Sequence, residues 1–151
     1  MGPRGTVQAA REYLQSVDLR RFRVRSERAF QRELDKATDE LRQSLPRKAR
    51  HFGSSRKFLT IFLRGCFYNR YLCENYKLQV LEPWLEVPLD SQVGKGLRKC
   101  APNGNVPRWK TVVGLTPQQN TTFQSCAAAL AASEGVSRVH LDLKFWRAPD
   151  A

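Results

Sequence analysis

The stretch TVVGLTPQQNTTFQSCAAALAASEGVSRVHLDLKF, from Thr111 to Phe145, decides how this chain is read. Thr116 is placed to cap a helix, Pro117 stands at its first position, and Gln119 completes a Thr-x-x-Gln capping box. An Ala-rich run follows, and Gly135 supplies the stop. Before the cap, Thr111 to Leu115 reads as a strand. After the glycine, Val139, Leu141, Leu143 and Phe145 alternate with Arg138, His140, Asp142 and Lys144, the period of a strand with one wet face. Strand, helix and strand at this spacing leave room for a right-handed crossover between parallel neighbours.

The preceding residues 82–109 are punctuated by Pro83, Pro88, Gly94, Gly96, Pro102, Gly104 and Pro107. They read as loop, with a helical turn around Ser91 to Cys100 and a turn at Asn103-Gly104. Lys77 to Leu81 reads as the start of a further strand. Phe58 to Tyr76 is apolar on most sides, which predicts a buried helix, weakened at Gly65. From Ser26 as cap, Phe30, Leu34, Ala37, Leu41 and Leu45 keep one apolar stripe until Pro46, so a surface helix with one docked side is expected there. Its outer faces carry acids and bases mixed. A shorter helix is expected over 7–16. The fold class predicted is α+β: N-terminal helices packed with a small sheet that includes the C-terminal strand-helix-strand unit. With no repeat and no long linker, residues 1–151 read as a single basic α+β domain, residues 1–20 being free to stay flexible.

Charge is the strongest signal. Lys and Arg number 26 against 14 Asp and Glu, a net charge of +12. Residues 1–70 hold 17 bases and 7 acids, whereas residues 71–151 hold 9 and 7. A polyanionic partner follows from such a balance. The longest apolar run, Phe58 to Leu63, is closed by Arg64, so no membrane span is expected. Charges at Arg4, Arg11, Glu12 and Asp18 interrupt any signal-peptide core, which argues against secretion and makes Cys66, Cys73, Cys100 and Cys126 reduced thiols. The sequon at Asn120 is then silent. Gly2 with Pro3 is a poor myristoylation context, and the acids near the start disfavour a mitochondrial leader.

Catalytic and metal motifs are not found. Cys66 and Cys73 are seven apart, unlike the close pair of a zinc knuckle, and Cys100, Cys126, His51 and His140 stand alone. His140 falls on the wet side of the expected strand. Gly94-Lys95-Gly96 lacks the spacing of a phosphate loop and reads as a flexible turn. No cofactor and no enzymatic activity are expected.

The positive signal lies in two basic clusters. Arg20, Arg21, Arg23 and Arg25 form the first; Arg47, Lys48, Arg50, Arg56 and Lys57 form the second. Guanidinium groups bind phosphate oxygens in pairs, and the two clusters would share a face if the intervening helix folded the chain back. Aromatics among the bases, Phe58, Phe62, Phe67, Tyr68 and Tyr71, suit either stacking on unpaired bases or core packing. The function expected is that of a non-enzymatic nucleic-acid-associated protein, DNA or RNA, a small subunit of a larger nuclear complex with a protein partner. The alternative is an adaptor whose basic half docks an acidic protein.

Overall fold

The computed structural model describes residues 2–101 and 104–147, and among them every regular element is helical. The helices are α1 (Thr6–Ser16), α2 (Glu27–Ser44), α3 (Phe52–Tyr68), α4 (Arg70–Tyr76), α5 (Ser91–Cys100), α6 (Pro117–Glu134) and α7 (Leu141–Arg147). The expected sheet does not form, so the α+β reading is corrected to all-α. The turn expected at Asn103-Gly104 lies partly outside the described residues.

The correction comes at the two flanks of α6, where a strand would have needed a partner strand. Thr111–Leu115 folds into a turn instead: the Leu115 amide donates to the Val112 carbonyl at 3.2 Å, and the Gly114 amide to Thr111 Oγ1 at 3.0 Å. The turn lies on α3 at Gly53, where a Cβ would stand 1.9 Å from the Val112 carbonyl oxygen. On the other flank, Arg138–His140 is a 3-10 turn that runs straight into α7. Leu141 and Phe145, one helical turn apart, are buried, whereas Leu143 is exposed and Asp142 is turned inward onto Arg64. The alternation of residues 138–145 is therefore a coincidence of composition, not a strand period. The third expected strand, from Lys77, is likewise a 3-10 turn over Leu78–Leu81: Leu78 and Leu81 are buried and Val80 is exposed, a period of three.

Local signals that needed no distant partner hold. Ser26 Oγ accepts from the Ala29 amide and opens α2, whose apolar stripe Phe30, Leu34, Ala37 and Leu41 is buried. Both capping-box bonds between Thr116 and Gln119 are made at 3.1 Å, and Gly135 ends α6 at φ 69°. The long apolar helix is split at Asn69, which closes α3 and caps α4 by accepting from the Leu72 amide. The Gly94-Lys95-Gly96 segment is not a flexible turn but the middle of α5, capped by Asp90. A Cβ on Gly94 would meet the Trp109 ring at 2.3 Å, and one on Gly96 the Phe145 ring at 2.2 Å. These glycines let α5 close on its neighbours.

The apolar interior has two parts. The first, from Ala10 to Leu85 with Val139, is built by α1 to α4 and includes Phe22, Phe30, Leu34, Leu41 and Leu59. The second, from Val87 to Phe145, gathers Val93 and Leu97 of α5, Phe123 and Ala127 of α6, and Trp109. The chain crosses between them in residues 84–87, which leave a turn closed by the Trp84 and Leu85 amides on the Leu81 carbonyl and belong to no helix. Side chains satisfy it instead. Gln124 accepts from the Val87 amide at 3.1 Å and donates to its carbonyl at 2.8 Å, and Arg138 donates to the carbonyls of Trp84 and Leu85 at 2.9 and 3.0 Å.

Candidate nucleic-acid interface

The nine basic residues singled out in the sequence divide by what they touch. Arg20 folds onto Asp18 through three contacts of 2.9–3.1 Å. Arg21 reaches α2 and donates to Glu40 at 2.7 Å and to Glu33 at 3.2 Å. That contact holds the Glu40 carboxyl below its ordinary value, while burial and then the bond it donates to Glu40 raise the Tyr13 phenol. Arg56 is interior. Its guanidinium meets both Glu86 oxygens at 2.9 and 3.0 Å and donates to Asp35 at 2.9 Å and Thr38 at 2.8 Å. Arg23, Arg25, Arg47 and Lys48 are exposed and have no carboxylate within 4.0 Å among the described residues. Arg50, also exposed, donates to the Leu45 carbonyl at 3.0 Å, and Lys57 is half-buried.

The two clusters do not gather as one outward patch. Arg21 and Arg56 fold onto acids along the middle of α2, while Arg25 precedes the helix and Arg47 follows it, at the two ends of 18 residues that span about 27 Å at 1.5 Å per residue. Between them runs a row the sequence reading passed over. Arg28, Arg32 and Lys36, spaced four apart, form one exposed stripe opposite the buried face, with no carboxylate partner among the described residues. The face looked mixed because acids lie beside it. Four of the five acids of α2 are occupied, Glu33 and Glu40 by Arg21, Asp35 by Arg56, and Asp39 by Arg42; Glu27, in the first turn, is not. The outward face of α2 is mixed, as the sequence suggests: Asp35 and Asp39 stay more than half exposed beside these bases, but each is paired, whereas Arg28, Arg32 and Lys36 are not.

A polar layer lies between the two apolar clusters. Glu86, 4% exposed, is its centre. Burial alone would raise its carboxyl, but Arg56, then Arg138 and Asn120, outweigh burial and hold it low, so the pair is ionised. Asn120 Nδ2 approaches both Glu86 oxygens at 3.4 Å. Asn120 itself is 3% exposed, which buries the sequon asparagine. A cleft of about 530 Å³ opens beside this layer between α2, α3 and α6, lined by Glu27, Asp35, Asp39, Arg42, Arg56, Glu86, Asn120 and Arg138 among others. Its arginines are engaged by protein acceptors, and neither a histidine nor a cysteine lines it.

His140 is not the free, wet residue expected. Its Nδ1 meets the Tyr68 hydroxyl at 2.8 Å, its Nε2 meets Glu82 at 2.9 Å, and its ring is stacked on Tyr68. The chain Tyr68–His140–Glu82 pins the end of α3 to the turn before α7. Of the aromatics, Phe58, Phe62 and Phe67 pack on the first core, while Tyr68, Tyr71 and Trp146 are exposed. No group of three or more His, Cys, Asp or Glu placed to hold a metal occurs among the described residues, nor is any described helix long and apolar enough to cross a membrane. Comparison with known proteins returns no match: no family model fits the chain, and no curated protein and no solved structure is similar to it.

Proposed function

We propose that the protein is a non-enzymatic nucleic-acid-associated subunit that holds the phosphate backbone along the outer face of α2 with little readout of sequence. The supporting observation is the row Arg28, Arg32 and Lys36, exposed and without carboxylate partners among the described residues, while four of the five acids of α2 are paired with Arg21, Arg42 and Arg56. Arg23 and Arg25 extend it at one end of the helix, and Arg47 and Lys48 at the other. A helix about 27 Å long runs beside about eight phosphates of one DNA strand at 3.4 Å each. Side chains of this kind position a duplex or single strand without reading bases.

The test is the salt dependence of binding to single- and double-stranded DNA and RNA oligomers, with nuclease-treated protein. The triple variant Arg28→Glu, Arg32→Glu, Lys36→Glu is expected to weaken binding to all sequences alike. The slope of log K against log salt should flatten by about 2 to 3, near 0.9 per lost phosphate contact on DNA. Reversing Lys95, Arg98 and Lys99 on α5 makes the same change in net charge and serves as control. Equal loss in the control, or unchanged affinity in the α2 variant, would remove the assignment.

A further inference from the structure

We propose that the groove between the N-terminal turn, α3 and the Thr111–Leu115 turn docks an acidic, partly apolar peptide segment of a protein partner. The groove encloses about 530 Å³, within the range of ligand pockets. Its walls are Phe58 and Ile61 of α3 and Val112 and Val113 of the turn; Ile61 is 40% and Val113 53% exposed. The groove is built by the fold. Gly53 lets the turn settle on α3, which brings the two valines opposite Phe58 and Ile61.

Charge selects the occupant. Lys48, from the 3-10 turn after α2, and Lys57, one helical turn before Ile61, line the groove, and neither has a carboxylate within 4.0 Å among the described residues. An apolar partner covering the floor would strip water from these ammonium groups, and a carboxylate on its flanks offsets that cost. A nucleic acid fits poorly, since its phosphates and sugars would have to cover valine and isoleucine without polar partners. A bilayer fits poorly because the apolar side chains line a concavity, whereas a membrane takes up side chains that protrude. An extended or helical segment with two or more apolar residues flanked by Asp or Glu meets both the floor and the rim. The groove shares Lys48 with the end of the basic row but none of Arg28, Arg32 and Lys36, so the α2 triple variant and Val113→Asp separate this proposal from the nucleic-acid reading.

The test is selection of random 12-residue phage-displayed peptides on the immobilised full chain at about 0.15 M salt, followed by titration of an enriched, synthesised peptide. Enriched sequences should combine apolar residues with neighbouring Asp or Glu. Val113→Asp should weaken the peptide by about tenfold or more, as should the pair Lys48→Glu, Lys57→Glu, while the α2 triple variant should leave it within about twofold. Val113 is exposed, so its substitution leaves the fold intact, and far-UV circular dichroism checks this. The proposal is overturned by three results: no enrichment, enriched peptides without acids, or affinity indifferent to both groove variants. Binding of RNA oligomers or phosphatidylserine vesicles that Val113→Asp abolishes, with no peptide bound, would assign the groove to another class of partner and equally overturn it.

Discussion

Arg56 and Glu86 show how a basic protein uses part of its charge internally. Each is nearly fully buried, and the guanidinium meets both carboxylate oxygens. Removing one partner of such a pair strands the other. Glu86→Gln is therefore expected to cost about 3 kcal/mol, read from urea unfolding at neutral pH. Replacing both residues with apolar ones of similar size should recover most of the loss. The pH dependence has a definite sign. A carboxyl lowered on folding stabilises the chain above its unfolded value, about 4.3, and that contribution fades as pH falls through the folded value. The gap between wild type and Glu86→Gln should therefore narrow on acidification, and a gap constant from pH 7 to pH 3 would refute the assignment. Glu40, held low by Arg21, adds to the acid sensitivity in the same direction.

At the scale of elements, glycine has opposite meanings in two helices. In α5 a methyl group on Gly94 or Gly96 runs into a buried ring, and either change to alanine should cost about 1–3 kcal/mol. In α3 nothing stands within 4 Å of a Cβ on Gly65, so Gly65→Ala should stabilise by about 0.5–1 kcal/mol. Thermal melts of the three variants decide the matter. The contrast also explains what was legible in the sequence. Caps and stops at Ser26, Thr116, Gln119 and Gly135 act within four residues, and they could be read directly. The sheet depended on whether one short segment would find another, and that is settled by the whole chain. The α5 glycines looked like loop because the rings of Trp109 and Phe145 that require them lie elsewhere in sequence. The candidate interface was half legible for a related reason. Counting bases found the charged half, but which bases remain outward depends on pairs such as Arg21–Glu40 and Arg56–Glu86, separated by 19 and 30 residues. The four-residue spacing of Arg28, Arg32 and Lys36 was the signal available, obscured by neighbouring acids whose pairing with Arg42 and Arg56 only the fold decides.

For the whole molecule, the question is whether two apolar clusters behave as one cooperative unit. Trp84 packs against the first and Trp109 lies inside the second, which supplies a probe for each. With the exposed Trp146 replaced by Phe, variants retaining only Trp84 or only Trp109 should report the same urea midpoint, because the Arg56–Glu86 pair and the grip of Gln124 and Arg138 join the halves. Separate midpoints would mean that each half folds alone. The same grip has a kinetic side. The Val87 amide is held by a glutamine side chain rather than by a carbonyl of a helix. A single rotation in Gln124 frees it while every helix stays wound. Deuterium uptake at Val87 is therefore a clock for the release of this side-chain grip on the crossing segment, independent of the helical amides on either side.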